Sequence, residues 1–132
     1  MTRPFRFGLQ CYNAASPHAW RDQARHAEAL GFSTFSVADH VLGPGPALTA
    51  MHHPVQDVAA VPAMAVAIEA TSTITIGSRV FCTDYRQPVM FAKELATLAY
   101  FAEGRLEIGI GAGWLQGEYE SMGVQWDPAG VR

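Results

Sequence analysis

Stretches in which apolar residues recur at every second position alternate along this chain with stretches in which they recur at helical spacing. That order leaves few folds open. Phe5 to Cys11 places Phe5, Phe7, Leu9 and Cys11 on one face of an expected strand. Ser16 then offers an N-cap with Pro17 at the first helical position. Trp20, Ala24, Ala27 and Leu30 form the apolar stripe of a helix that Gly31 ends. Phe32 to Ala38 predicts a second strand, built around Phe35 and Val37. Pro62 is expected to open a second helix, whose run from Ala63 to Ala70 is almost wholly small and apolar. Thr73 to Cys82 predicts a third strand. Pro88 starts a third helix through Phe101, with Ala92, Leu95, Leu98 and Ala99 expected to face inward. After Gly104, Leu106, Ile108 and Ile110 alternate in a fourth strand. The order β-α-β-α-β-α-β implies an α/β fold: a parallel β-sheet with right-handed crossovers and helices outside it.

Ligands of such sheets gather at the carboxyl ends of the strands, so the strand exits are where chemistry is expected. Four exits hold unusual residues: Gln10–Asn13, Asp39-His40, Ser78–Thr83 and Gly111–Trp114. Gly109, Gly111 and Gly113 strip side chains from the fourth, which either lets a ligand approach the backbone or merely permits a tight turn. The spacing is not a dinucleotide fingerprint, because Trp114 stands at the third glycine position and no parallel strand follows. His40 lies directly at a strand exit beside a carboxylate, which can orient an imidazole or tune its proton affinity. Arg79 is a charge within a strand and needs a partner, solvent or a ligand. The loop from Val41 to about Val61 is long for a compact domain, as functional lids and binding loops often are. Within it, His52 and His53 have no third ligand at metal spacing and read as solvated, so no metal site is expected. Glu118 and Glu120 read as a solvated turn. Trp114 reads equally as pocket wall or core.

Composition narrows the class. Of 132 residues 49% are apolar and 16% charged, which suits one well-buried domain. A net charge of −3 without a basic cluster excludes nucleic-acid and anionic-membrane partners as expectations. No run is apolar enough to span a membrane, and the N-terminus lacks a signal-peptide core. Cys11 and Cys82, roughly 9–10 Å apart if one strand separates theirs, read as free packing thiols in a reducing cytoplasm.

The run SRVFCTDYRQPVMFAKELATL, followed by GRLEIGIGAGWLQGEYESMG, resembles the luciferase-like monooxygenase superfamily, and within it the coenzyme F420-dependent oxidoreductase branch. FRFGLQ, ALGFSTFSVADH and DPAGVR fit the same pattern, so the resemblance spans essentially the whole chain. It implies a (β/α)8 TIM barrel with a deazaflavin or flavin at the carboxyl ends of the strands. The implied chemistry is hydride transfer at C5 of coenzyme F420, or oxygen chemistry if the cofactor is FMN. Asp39 and His40 match the Asp-His pair that lies close to the deazaflavin, with His40 as the catalytic proton-transfer group. A strand-three bulge with a non-prolyl cis peptide maps to Arg79-Val80, behind the ring. With the glycine exit, the implied cofactor contacts are Asp39, Arg79, Val80, Gly111 and Gly113. Trp114 stands where some relatives carry a catalytic acidic residue, which turns the expectation away from sugar-phosphate dehydrogenation.

Barrels of this type run to roughly 250 residues or more, so residues 1–132 are expected to form one incomplete domain, the N-terminal half with four of eight strands. Its open edges call for a second copy of the chain or a missing second half-barrel. The expected partners are therefore a small-molecule substrate and that companion. The rival expectation is a non-catalytic half-barrel.

Overall fold

The first helix begins where its cap demands. Ser16 Oγ accepts the Ala19 N–H at 3.1 Å, and α1 spans Pro17–Ala29 with Trp20, Ala24 and Ala27 buried. Gly31 follows with φ of 79°, and the chain enters β2, Thr34–Val37. The computed structural model, which describes residues 4–43, 45–50 and 52–132, continues with the short helix α2 (Pro46–Ala50) and with α3 (Ala60–Ala70). Then come β3 (Thr75–Cys82), a 3₁₀ turn at Thr83–Tyr85, α4 (Pro88–Ala102), β4 (Leu106–Gly111) and α5 (Gln116–Met122). The first strand, β1, is Gly8–Cys11.

The four strands pair in parallel in the order β1-β2-β3-β4, with Leu9 opposite Phe35, Phe35 opposite Ile76, and Ile76 opposite Leu106. This is the α/β alternation of a partial (β/α)8 barrel. One face of the sheet is the core. Phe35, Val37, Ile76 and Phe81 are buried there against the small residues of α1 and α3. Trp20 sets the spacing: its ring meets Phe35 edge-on at 5.3 Å and its Nε1–H donates to Ala63 O at 3.0 Å. Burying each such large apolar side chain stabilises the fold by about 1.5–3 kcal/mol.

The other face is polar, with Gly8, Gln10, Thr34, Ser36, Gly77, Arg79 and Glu107 around a cavity of about 350 Å³. Arg6, just before β1, pairs with Glu107 on β4 at 3.1 Å. Those strands are the two edges of the sheet, about 14 Å apart if it were flat. The two long side chains reach across the polar face to meet.

Several boundaries differ from expectation. The first strand is shorter, and Phe5 and Phe7 are 92% and 68% exposed, because pairing with β2 begins only at Gly8 and Thr34. Residue alternation marks a strand's faces but not how far its neighbour extends. The second expected helix starts at Ala60, so Pro62 occupies its first turn, where its missing N–H is not needed. The long loop contains α2; its positions 44 and 51 lie outside the described residues. The third expected helix is rotated. Phe91, Leu98 and Ala102 are buried while Ala92 and Ala99 are exposed, because Phe91 packs its ring on Phe81 at 4.9 Å. The helix α5 replaces the solvated turn expected around Glu118 and Glu120.

Candidate functional site

The exits of β2, β3 and β4 enclose a cleft of about 240 Å³. Asp39, His40, Arg79, Val80, Gly111 and Gly113, the expected site residues, all line it, together with Cys82, Tyr85, Trp114 and Glu118. Exit topology brings the six expected residues together, since parallel strands deliver their carboxyl ends to one side, whereas Tyr85 comes from the turn after β3 and Glu118 from α5.

His40 is held from behind. Its Nδ1 lies 3.1 Å from both carboxylate oxygens of Glu118, a residue of α5 that is 1% exposed. Glu118 Oε1 also accepts the Val41 N–H at 2.7 Å, and Oε2 accepts the Tyr85 hydroxyl at 2.7 Å. Burial pushes the Glu118 carboxyl up, but the bonds from His40, Tyr85 and Val41 outweigh it and hold the pKa below the usual carboxylate range. Burial raises the Tyr85 phenol, reinforced by the bond to Glu118 and its charge, so Tyr85 remains a donor. An ionised carboxylate only accepts, so Nδ1 of His40 carries the proton. Nε2 is then the basic nitrogen of the neutral ring, and among the described residues it makes no hydrogen bond.

Asp39 has a different employment. Its carboxylate takes a two-pronged bond from Arg86, at 2.5 and 2.6 Å, and accepts the Cys82 N–H at 2.9 Å. The Arg86 guanidinium in turn lies over the rings of Phe81 and Phe91, 5.2 and 5.0 Å from their centroids. Asp39 therefore clamps the exit of β2 to that of β3, and Glu118 rather than Asp39 orients the imidazole.

Between Ser78 and Phe81 the register of β3 against β4 slips. The bulge lets consecutive residues Arg79 and Val80 both line the cleft, and the peptide between them is cis. Val80 also explains the glycines. A Cβ at Gly109 would lie 2.6 Å from Val80 Cγ1 and 2.8 Å from Ser78 O. Gly113 has φ of 69°, and a Cβ there would meet Cys82 Sγ and the Tyr119 ring below 3 Å. The glycine run is thus required by close packing at the rim of the cleft.

Four contributors escaped the sequence reading: Glu118, Tyr85, Arg86 and His53. Glu118 is buried, not solvated. The missed signal is the spacing of Leu115, Glu118, Tyr119 and Met122, which puts all four on one helical face. Arg86 left no local pattern. His52 is exposed as expected, but His53 is half-buried, its ring centroid 4.0 Å from that of His40 and 5.9 Å from that of Trp114. Cys11 and Cys82 are free thiols, as expected. Among the described residues, no cluster of His, Cys, Asp and Glu could hold a metal, and no helix is long and apolar enough to cross a membrane.

The F420-dependent glucose-6-phosphate dehydrogenase of Microbacterium testaceum is 31% identical over 137 residues, covering 100% of this chain and 38% of the dehydrogenase. The FMNH2-dependent dimethylsulfone monooxygenase of Pseudomonas fluorescens is 40% identical over 40 residues, 30% of this chain and 11% of the monooxygenase. The solved structure of an F420-dependent secondary alcohol dehydrogenase with an F420–acetone adduct superposes with a TM-score of 0.77 at 27% identity, covering 96% of this chain and 37% of that one. Relatives of this chain thus use coenzyme F420 or FMN. Curated relatives that match most of the chain are longer, and it spans 28% to 39% of their length. The sequence profile of the luciferase-like monooxygenase family matches residues 2–130, and the chain belongs to that family.

Proposed function

We propose that the chain carries the proton-transfer part of an F420-dependent oxidoreductase site, moving hydride to or from a small organic substrate, with FMN as the alternative cofactor. The observation that carries this reading is His40, fixed through Nδ1 by a buried carboxylate, with Nε2 making no hydrogen bond among the described residues, in a cleft at the strand exits.

The residues present suit such a cofactor. Val80, 47% exposed, offers an apolar face for a planar ring. A Cβ at Gly111 would press on Val80 Cγ2 at 3.1 Å, so glycine keeps that surface clear. Asp39 would act from the wall through its clamp, and Gly111 and Gly113 would border the ring with bare backbone. Arg79 is the cation lining the cleft and suits an anionic part of the cofactor. A bound deazaflavin supplies the carbon that accepts or donates hydride. His40 Nε2 takes the proton from a substrate hydroxyl, or returns it to a carbonyl oxygen, while Glu118 offsets the positive charge on the ring. Trp114 sets its ring edge-on to that of His40 at 5.7 Å and lines the same cleft. Free thiols support a reducing, cytoplasmic setting. The exposed edges of β1 and β4 support pairing with a second copy or a complementary half-barrel.

Fluorescence titration of the purified chain with coenzyme F420 and with FMN tests the reading. F420 is expected to bind. His40→Ala is then expected to cut turnover by about 10²-fold or more while binding changes by less than about threefold. Binding of neither cofactor would favour a non-catalytic half-barrel instead.

A further inference from the structure

The loop between β2 and α3 is built onto the strand exits. Asn13, after β1, donates through Nδ2 to Val55 O and accepts the Asp57 N–H at 2.6 Å on Oδ1. Gln56 is 5% exposed, and its Nε2 bridges Ala38 O at 2.7 Å and Val58 O at 2.8 Å. The His53 N–H bonds Leu48 O at 3.2 Å, and Tyr12 sets its ring edge-on to His53 at 5.3 Å. Asn13 and Ala38, at two different strand exits, hold the residues that follow His53, while Leu48 and Tyr12 touch His53 itself.

That imidazole is fixed in orientation as well as place. Its Nδ1 lies 2.7 Å from Pro54 O, a carbonyl that can only accept, so Nδ1 carries the proton. The ring lies across that of His40 at 4.0 Å with a 54° tilt, and both contact Trp114. His40 is therefore held on two sides: by Glu118 through Nδ1, and by the face of His53.

We propose that His53 is a positioning residue for His40, the loop serving as a fixed wall that presses one imidazole onto the other and closes the His40–Glu118 bond to water. The inference rests on the reading of His40 as the proton-transfer group. It assigns His53 no contact with substrate or cofactor, because His53 does not line the cleft. What it requires is a flat, space-filling side chain. Phenylalanine should therefore replace histidine at this position and alanine should not.

The test is proton NMR of the chain without cofactor, following the downfield Nδ1–H signal of His40. In the unsubstituted chain this signal is expected to be visible and slow to exchange, because the proton lies between a buried ring and a buried carboxylate. His53→Ala is expected to lose it to exchange with water, and His53→Phe to keep it. With F420 present, His53→Ala should lower kcat by about tenfold with KM little changed, and His53→Phe should stay within about twofold. A signal retained in His53→Ala, or none in the unsubstituted chain, overturns the proposal. If His53→Ala does not fold, His53→Phe decides, since loss of the signal there overturns it too. The signal pattern without any F420 binding would sink the proposed activity and leave the wall standing. F420 turnover without the pattern would do the reverse.

Discussion

A single carboxylate decides what His40 can do. Glu118 accepts from an imidazole, a phenol and a backbone N–H at once, and none of these donors has an equivalent alternative among the described residues. Glu118→Gln keeps the shape but brings an amide N–H₂ to face Nδ1, which favours the tautomer whose Nε2 carries the proton. Turnover is expected to fall by about 10²-fold or more, with cofactor binding nearly unchanged, measured by steady-state kinetics beside a fluorescence titration. Gly109 makes a second residue-scale case. A methyl group there meets Val80 Cγ1 at 2.6 Å and a backbone oxygen at 2.8 Å, and the backbone oxygen cannot swing away. Gly109→Ala should cost about 1–3 kcal/mol of stability in urea denaturation and displace Val80 from the cleft. At this scale the sequence was a poor guide to roles. It marked His40, Arg79 and the glycines through their place at strand exits, and Val80 only through the family resemblance. It misread Glu118 because two glutamates near a glycine look the same whether they face water or a neighbouring strand.

Between elements, polar clasps hold the helices on the sheet. Glu28, on α1, accepts the backbone N–H groups of Ser72, Thr73 and Ile74 and the Thr73 hydroxyl, all in the connection from α3 to β3. Partial burial pushes its carboxyl up, but these donors outweigh that and hold its pKa at about 2. A depressed folded pKa stabilises above the unfolded value near 4.5 and ceases to do so as pH falls through about 2. Glu28→Ala should therefore cost about 1–2 kcal/mol at neutral pH, after allowing for solvent screening, and much less near pH 2. Thermal melts of both proteins across that window check it. The clasp between Asp39 and Arg86 works in the same way, joining the exit of β2 to the turn after β3. Sequence periodicity named the elements these clasps connect, yet gave no sign of the clasps. A cap such as Ser16 is legible because donor and acceptor are three residues apart. Glu28 and Ile74 are 46 apart.

For the molecule as a whole, the unpaired strands matter most. Both β1 and β4 are edges, and Ile110 on β4 is 63% exposed. Such edges invite pairing with another chain. Size-exclusion chromatography with light scattering is expected to show a dimer or larger species, and a cooperatively folding monomer would overturn that expectation. The sequence by itself determined the α/β alternation, the parallel sheet and the side of it on which chemistry gathers, because strand and helix periods, caps and turn residues act over a few positions. Tertiary structure alone decided which groups meet there. His40 and Glu118 are 78 residues apart, and only the docking of α5 beside the exit of β2 makes them one acid–base unit. Short-range pattern fixes where a side chain is presented, whereas its partner depends on how distant segments pack.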